Sequence, residues 1–187
     1  MSKPIFSPTR IGNAITGPVV SPSANDAVQL LITLRQAIQT LFDALAKAPA
    51  QHQEAAQRKL LLALELRLKV EQSVVLPGLA QGAAANDARL AGCEKDISQL
   101  RGLMDLARDP SLTSLVRRTV IGALDGVAAL HFERMERLLA HAKRNRQIDA
   151  AALGMEMQAL LDRWHTEVLA TGDIEDEEMD PVGSPPR

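Results

Sequence analysis

The sequence has few residues of the kinds that build β-sheets. Aromatic residues make up 2% of its 187 residues, with one Trp, three Phe and no Tyr. Because strands favour aromatic and β-branched side chains, this scarcity argues against a β-sandwich or a β-barrel. Hydrophobic residues still make up 46% of the chain, which is enough to bury a sizeable core. The composition therefore predicts an all-α protein.

Signals for disulfides, export and membrane insertion are also scarce. The single cysteine, Cys93, excludes a disulfide within the chain. The first residues, MSKPIFSPTR, lack the apolar stretch of a signal peptide. No stretch of the chain reaches the roughly 18 uninterrupted apolar residues of a membrane span. Together these features predict a cytoplasmic protein with no membrane partner.

The usual signatures of an enzyme are missing as well. We find no Gly-rich phosphate loop, no CxxC pair and no Ser/His/Asp spacing typical of a nucleophilic triad. The net charge is −2, made up of −5 in residues 171–187 and +3 elsewhere. A net charge this close to zero does not favour a nucleic-acid partner. The sequence predicts a protein that is not an enzyme.

What the sequence does contain is helical periodicity. Apolar residues recur at alternating steps of three and four along five stretches, as in helices that bury one face. The predicted helices cover residues 26–47, 53–76, 86–107, 112–144 and 149–169. Asn25 or Asp26 is predicted to cap the first helix, Pro77 with Gly78 to end the second, and Ser111 to cap the fourth. Four such helices with short or moderate connections predict an antiparallel up-down four-helix bundle with an additional C-terminal helix.

Segments of different composition flank the predicted bundle. The predicted organisation is a Pro-rich extended arm over 1–25, the four-helix bundle over 26–146, a docked fifth helix over 147–170 and an acidic, Pro-containing tail over 171–187. The arm carries apolar residues that predict a strap for a partner or for the bundle itself, namely Ile5, Phe6 and Ile11. The alternative is that the arm is a disordered tail.

Polar residues interrupt the inward apolar rows. In the stretch 60–77, LLLALELRLKVEQSVVLP, Arg67 and Glu71 fall on the same row as Leu60 and Leu64. Arg35 and His131 interrupt the rows of the first and fourth helices in the same way, and the fourth row is predicted to begin at Val116. Because the middles of neighbouring helices share a level in an up-down bundle, these residues are predicted to surround one cavity. Cys93, Ile97 and Glu136 are predicted to lie at that level too.

This arrangement resembles the hemerythrin-like (HHE cation-binding) family, whose members are four-helix bundles that bind two non-haem irons. The resemblance covers roughly residues 26–143. In the first helix, DAVQLLITLRQAIQTLF has the apolar spacing of the family, with Arg35 where a ligand His would be. In the second helix, RLKVEQSVVLP keeps Glu71 and Pro77 but has Arg67 in place of a ligand His.

The other two helices keep only part of the ligand set that the resemblance implies. In the third helix, Cys93 and Ile97 take the positions of two ligand histidines. In the fourth, HFERME keeps both His131 and Glu136. The resemblance therefore implies three of the seven ligands of the family, and arginine cannot replace the others because it stays protonated. It implies the fold of the family with a degenerate metal site.

The substituted arginines suggest another use for this layer. A buried carboxylate needs a cation or a proton, so we expect Arg35 and Arg67 to form a buried polar network with Glu71, Glu136 and His131. One alternative is that both arginines extend toward the ends of the bundle or face the fifth helix. A second is a mononuclear iron or manganese site made of Glu71, His131 and Glu136, which would suit an oxygen or iron sensor or carrier.

These features predict a non-enzymatic protein-interaction or regulatory subunit without a cofactor. Iron is the cofactor of the alternative prediction. A protein partner is expected, and a homo-oligomer is left open. A basic cluster lies at the end of the fourth helix and consists of Arg134, Arg137, His141, Lys143, Arg144 and Arg146. It is predicted either to complement the helix dipole or to dock an anionic partner or the acidic tail. Binding of nucleic acid or a membrane surface through this cluster is the third possibility considered.

Overall fold

The computed structural model describes residues 26–82 and 87–171, which are helical apart from short connections. Helix α1 is Ala27–Lys47, and a short 3₁₀ turn, Ala50–His52, leads into α2, which begins as Gln53–Val70. Helix α2 continues through the π-helical turn Glu71–Val75 into Leu76–Gly82. The remaining helices are α3 (Ala88–Arg108), α4 (Ser114–Arg144) and α5 (Ala150–Thr171).

The all-α prediction is confirmed, because no strand occurs in the described ranges. None of the described helices is both long enough and apolar enough to span a membrane. The predicted arm over 1–25, with Ile5, Phe6 and Ile11, lies outside the described residues. The acidic tail lies outside them too, except that Thr171 still belongs to α5.

The helices share one apolar core. Helix α1 packs against α2, α4 and α5, while α3 packs chiefly against α4 and α5 also lies along α2. The largest fully buried apolar side chains are Leu31, Leu60, Leu64, Leu68, Ile97, Leu100, Leu124, Phe132, Met135, Leu139 and Met157. Most belong to the predicted inward rows, since a helix that buries one face repeats its apolar residues at steps of three and four.

One member of the predicted rows was placed wrongly. Val116, predicted to face the core, is 45% exposed. Helix α4 has 31 residues, whereas α1 and α3 have 21 each. The longer helix has turns that its neighbours cannot cover, and Val116 lies in such a turn at its start.

Helix α2 does not end at Pro77 and Gly78, so that prediction was wrong. Proline lacks an N–H, and its ring clashes with the carbonyl four residues earlier in a regular α-helix. Just before Pro77 the helix widens into the π-helical turn, where the Leu76 N–H donates to the Glu71 carbonyl five residues back. The widened turn moves the carbonyl that would clash with the ring, so the helix continues to Gly82.

Side chains cap the starts of α1, α3, α4 and α5, although one predicted cap was wrong. Asp26 accepts a hydrogen bond from the Val28 N–H at 3.0 Å, which satisfies a free donor at the start of α1. Helix α4 is capped by Thr113 rather than by Ser111. The Ser111 N–H instead donates to the Asp109 carboxylate at 2.8 Å, and this local turn delays the start of the helix.

Asp26 also pairs with Lys143, which joins the start of α1 to the end of α4. Partial burial raises the pKa of Asp26, but the hydrogen bond and charge of Lys143 and the helix N–H groups outweigh it and lower the pKa below its usual 3.8. Because the folded-state pKa is the lower one, the pair stabilises the fold above about pH 4 and loses this effect as the pH falls further. We expect Asp26→Asn, which keeps a cap, to lower the free energy of unfolding by up to about 1 kcal/mol at pH 7.

Urea unfolding at pH 7 and at progressively lower pH tests this prediction. The difference between the natural chain and Asp26→Asn should shrink below pH 4, where Asp26 becomes protonated. A difference that is the same at every pH would contradict the role of the ion pair.

Two glycines should respond oppositely to the same substitution. A Cβ at Gly82, the last residue of α2, would lie 2.4 Å from the Gln147 carbonyl oxygen, which is backbone and cannot rotate away. At Gly102, within α3, a Cβ would meet nothing within 4 Å. We expect Gly82→Ala to destabilise the fold by about 1–3 kcal/mol and Gly102→Ala to stabilise it by up to about 1 kcal/mol. Thermal unfolding measures both, and a Gly82→Ala chain at least as stable as the natural chain would refute the close contact at Gly82.

Candidate functional site

Arg67 lies at the centre of the described structure and joins three helices. Its side chain is fully buried. Its Nε donates to Glu71 Oε1 at 2.6 Å, one turn later on α2, and its Nη1 donates to the Leu31 carbonyl of α1 at 2.5 Å. Its guanidinium carbon lies 4.7 Å from the centre of the Phe132 ring on α4, a cation–π contact. Arg67 therefore does not extend to the end of the bundle, as one alternative predicted.

Both oxygens of the Glu71 carboxylate are engaged. Oε1 accepts from Arg67, and Oε2 lies 2.6 Å from Nε2 of His131 on α4. Burial raises the pKa of Glu71, but the charge of Arg67 and the hydrogen bond from His131 outweigh it, so that the pKa lies below its usual 4.5. Glu71 is therefore ionised and only accepts hydrogen bonds, which requires the proton on Nε2 of His131.

From His131 a chain of contacts leads to the surface. Its Nδ1 lies 3.5 Å from Asp96 Oδ2 of α3 without forming a hydrogen bond. Asp96 in turn accepts from the guanidinium of Arg134 at 2.5 Å, and the Arg134 side chain is half exposed. Charged and polar groups therefore alternate from buried Arg67 to solvent.

A second branch of the network runs through Glu136 to Arg35. Glu136 Oε1 lies 3.0 Å from Arg35 Nε and 4.0 Å from Arg67 Nη2, which makes no hydrogen bond itself. The Arg35 side chain is 43% exposed, so it bridges the interior and the solvent. The structure thus brings together Arg35, Arg67, Glu71, His131 and Glu136, and we call these five residues the buried polar network.

The charges within this network balance. Two arginines face two glutamates, and the nearby Asp96 and Arg134 add one charge of each sign. This balance matters because an uncompensated charge in the interior costs several kcal/mol, on the order of the whole stability margin of a domain.

The two positions on α3 contribute no ligand chemistry. Cys93 and Ile97 are both buried in the core. Burial, helped by the charge of Asp96, raises the pKa of the Cys93 thiol to about 11. A thiol that stays protonated near neutral pH is a poor metal ligand and a poor nucleophile. Ile97 offers no donor atom.

The donor atoms of the network do not fit a metal ion in this arrangement. Both oxygens of Glu71 are engaged by cationic or N–H donors, and Glu136 Oε1 is paired with Arg35. The fixed charge of Arg67 lies between Glu71 and Glu136, where it would repel a divalent cation. Across residues 26–82 and 87–171, no three His, Cys, Asp or Glu residues are grouped so as to hold a metal. The predictions about a cofactor stay predictions, to be tested by metal analysis.

Sequence reasoning missed three neighbours of the network, namely Asp96, Arg134 and Phe132. Asp96 follows Cys93 by three residues and precedes Leu100 by four, so its spacing to the apolar row was a signal for an inward-facing carboxylate. Arg134 follows His131 by one turn, which was a similar signal. No sequence signal indicated the contact of Phe132 with Arg67, because this contact depends on how α2 and α4 pack against each other.

Comparisons with models of protein families, with curated proteins and with solved structures gave no match. The resemblance to hemerythrin-like proteins therefore rests on the residues quoted for it and stays a prediction.

Proposed function

We propose that this chain is a hemerythrin-like antiparallel four-helix bundle with an additional helix, in which an ion-pair network replaces the di-iron site. In this proposal the protein is a non-enzymatic interaction or regulatory subunit. The observation that carries the proposal is Arg67, a fully buried arginine that donates to Glu71 and lies within 4.0 Å of Glu136. It takes up the space between the two carboxylates that the resemblance makes metal ligands.

The connections between helices support the bundle. Helices α1 and α2 are joined by Ala48, Pro49 and the 3₁₀ turn, and α3 and α4 by residues 109–113. Connections this short favour antiparallel neighbours. The contacts of α1 with both α2 and α4, and of α3 with α4, are those expected of adjacent helices in such a bundle.

The chemistry of the buried residues supports a role without catalysis. Glu71 is ionised but held by two donors, and Cys93 carries a protonated thiol. Neither is available as a base or nucleophile to a substrate. We infer that the network fixes the relative positions of α1, α2 and α4, and that partners engage the outside of the helices or the Pro-rich arm.

Metal analysis of the full chain, expressed in medium supplemented with iron and manganese, tests the proposal. The expected result is colourless, folded protein with neither metal in stoichiometric amount. Near-stoichiometric iron or manganese that is lost in His131→Ala would overturn the proposal and favour the mononuclear site of Glu71, His131 and Glu136. His131→Gln, which keeps an N–H donor for Glu71, separates loss of a ligand from loss of folding.

The role of the arm has its own test. Tagged full-length chain and a chain lacking residues 1–25 are used to capture proteins from the native cell. A captured protein that depends on residues 1–25, and that is also lost when Phe6 is replaced by serine, would support the arm as a strap for that partner. Equal capture by all three chains would show that the arm does not hold a partner.

A further inference from the structure

A groove of ≈ 720 Å³ lies between the start of α3 and the second half of α4. Its lining includes apolar surface from Gly92, Leu130 and Leu138, and Leu130 is 67% exposed. Basic side chains surround this surface, and the groove carries only one acidic side chain, Glu133. The arginines that line it are Arg89, Arg134, Arg137 and Arg144. Such a surface suits a peptide that is acidic and carries apolar residues.

The ion pairs that these arginines already make do not close the groove. Arg89 pairs with Asp87 and Arg137 with Glu133, and both arginines are more than half exposed. Exposed pairs of this kind contribute about 0–1 kcal/mol, so an incoming carboxylate can replace or share them at small cost. Arg134 pairs with Asp96, whose side chain is 20% exposed, so this third pair stays in place when a peptide docks. Arg144 makes no ion pair with any residue of 26–82 or 87–171.

The chain itself contains a segment with matching chemistry. Residues 173–180 read DIEDEEMD, six acidic residues among eight. The other two, Ile174 and Met179, are apolar. This segment therefore matches the groove both in charge and in its apolar surface.

The position of α5 keeps this segment away from the groove of its own chain. Helix α5 starts beside the end of α2, where the Leu153 side chain lies next to Gly78. It then runs back along α2, where Lys69 Nζ lies 4.5 Å from the centre of the Trp164 ring. Its 22 residues extend about 33 Å along α1 and α2, whereas the groove lies on α3 and α4 and its middle is about 10 Å before the end of α4. The middle of the acidic segment is about five residues beyond Thr171 and can extend no more than about 18 Å from it.

We propose that the acidic segment 173–180 of one copy of this chain docks into the α3–α4 groove of a second copy. The reach from Thr171 is too short to bring the middle of the segment to the middle of its own groove, whereas the segment of a neighbouring molecule has no such limit. The contact combines carboxylate–arginine pairs around the rim with Ile174 and Met179 against the apolar floor. It does not depend on the buried polar network, so it stands or fails separately from the proposed function.

Sedimentation velocity of the full chain over a range of concentrations, at low and high salt, measures this association. We expect concentration-dependent self-association that weakens as salt rises, because the contact is largely electrostatic. A tail variant converts the six acids of 173–180 to their amides, and a groove variant combines Arg137→Glu with Arg144→Glu. Each should raise the dissociation constant at least about tenfold. A control variant combines Arg58→Glu with Arg118→Glu, two exposed arginines outside the groove, and should associate like the natural chain.

Mixing the two variants gives the sharpest result. The groove variant keeps an intact tail and the tail variant keeps an intact groove, so the mixture should form a one-to-one complex at concentrations at which neither variant associates alone. Equal far-UV circular dichroism of all chains checks that they fold. A natural chain that stays monomeric at low salt, a variant that associates as tightly as the natural chain, or no complex in the mixture would each overturn the proposal.

Discussion

Replacing Arg67 by methionine is expected to lower the free energy of unfolding by about 3–5 kcal/mol. The substitution removes the guanidinium that donates to Glu71 Oε1 at 2.6 Å and to the Leu31 carbonyl at 2.5 Å. Glu71 is fully buried and would keep only the hydrogen bond with His131. Methionine has a similar length and no charge, so the loss reports mainly the uncompensated carboxylate rather than a cavity.

Arg35→Met is the matched control for this prediction. Arg35 also pairs with a carboxylate, that of Glu136 at 3.0 Å, but its side chain is 43% exposed. Water reaches Arg35 but little of Glu136, whose side chain is 11% exposed and which keeps Arg67 within 4.0 Å, so removal of Arg35 should cost about 1–2 kcal/mol, less than removal of Arg67. Urea unfolding of both variants gives the comparison. A loss at Arg67 no larger than the loss at Arg35 would contradict the central position of Arg67.

Replacing Phe132 by alanine is expected to cost about 3–5 kcal/mol, the second large effect. The ring is 1% exposed, lies in the core and is the aromatic face beneath the Arg67 guanidinium. Alanine leaves a cavity and also removes the cation–π contact. Phe132→Leu, which refills much of the volume without restoring the ring face, should lose less.

Leu130→Ala is the control for Phe132, two residues earlier on the same helix. Leu130 is 67% exposed, so its truncation should change the free energy of unfolding by no more than about 0.5 kcal/mol. Urea unfolding of the three variants measures the series. If Phe132→Ala were as mild as Leu130→Ala, α4 would not present the face to α2 that is described above.

The helical fold could be predicted because its signal is local. With Arg35 between them, Leu31, Ile38 and Phe42 in α1 follow steps of four, three and four, and the row from Cys93 to Ala107 in α3 follows the same pattern. These rows lie in the core because a helix must bury its apolar face against a neighbour. The inward direction of Arg67 and Glu71 followed from the same periodicity.

Two features of the fold could not be read from local patterns. Pro77 ends a regular α-helix, but a π-helical turn over Glu71–Val75 lets α2 continue to Gly82. No local sequence signal around Pro77 predicts that π-helical turn. Val116 has the spacing of a core residue, but its exposure depends on how far the neighbouring helices extend.

The candidate site was predictable in its residue types and less so in its partners. A carboxylate and an arginine that lie one turn apart on a buried row are expected to form an ion pair, and Arg67 Nε lies 2.6 Å from Glu71 Oε1. The bonds that cross between helices, from Arg67 to the Leu31 carbonyl and from His131 to Glu71, depend on the rotation of each helix. A single sequence does not specify that rotation.

A buried ion pair is weak evidence for stability, since desolvation of both charges offsets much of their attraction. What the arrangement around Arg67 supplies is specificity. Its guanidinium has donors directed at α1 and α2 and a face directed at Phe132 of α4. Sliding any of these helices by one turn would leave a charge without a partner, so we infer that the network fixes their register.

The most direct test of the account is the coupling free energy between Arg67 and Glu71, measured on chain treated with a chelator. A double-mutant cycle compares Arg67→Met, Glu71→Gln and the chain carrying both substitutions by urea unfolding. Because the two charges compensate one another without metal, the double variant should be less destabilised than the sum of the single variants. The expected coupling is at least about 2 kcal/mol. A coupling near zero would contradict the claim that Arg67 holds Glu71 in place of a metal ion.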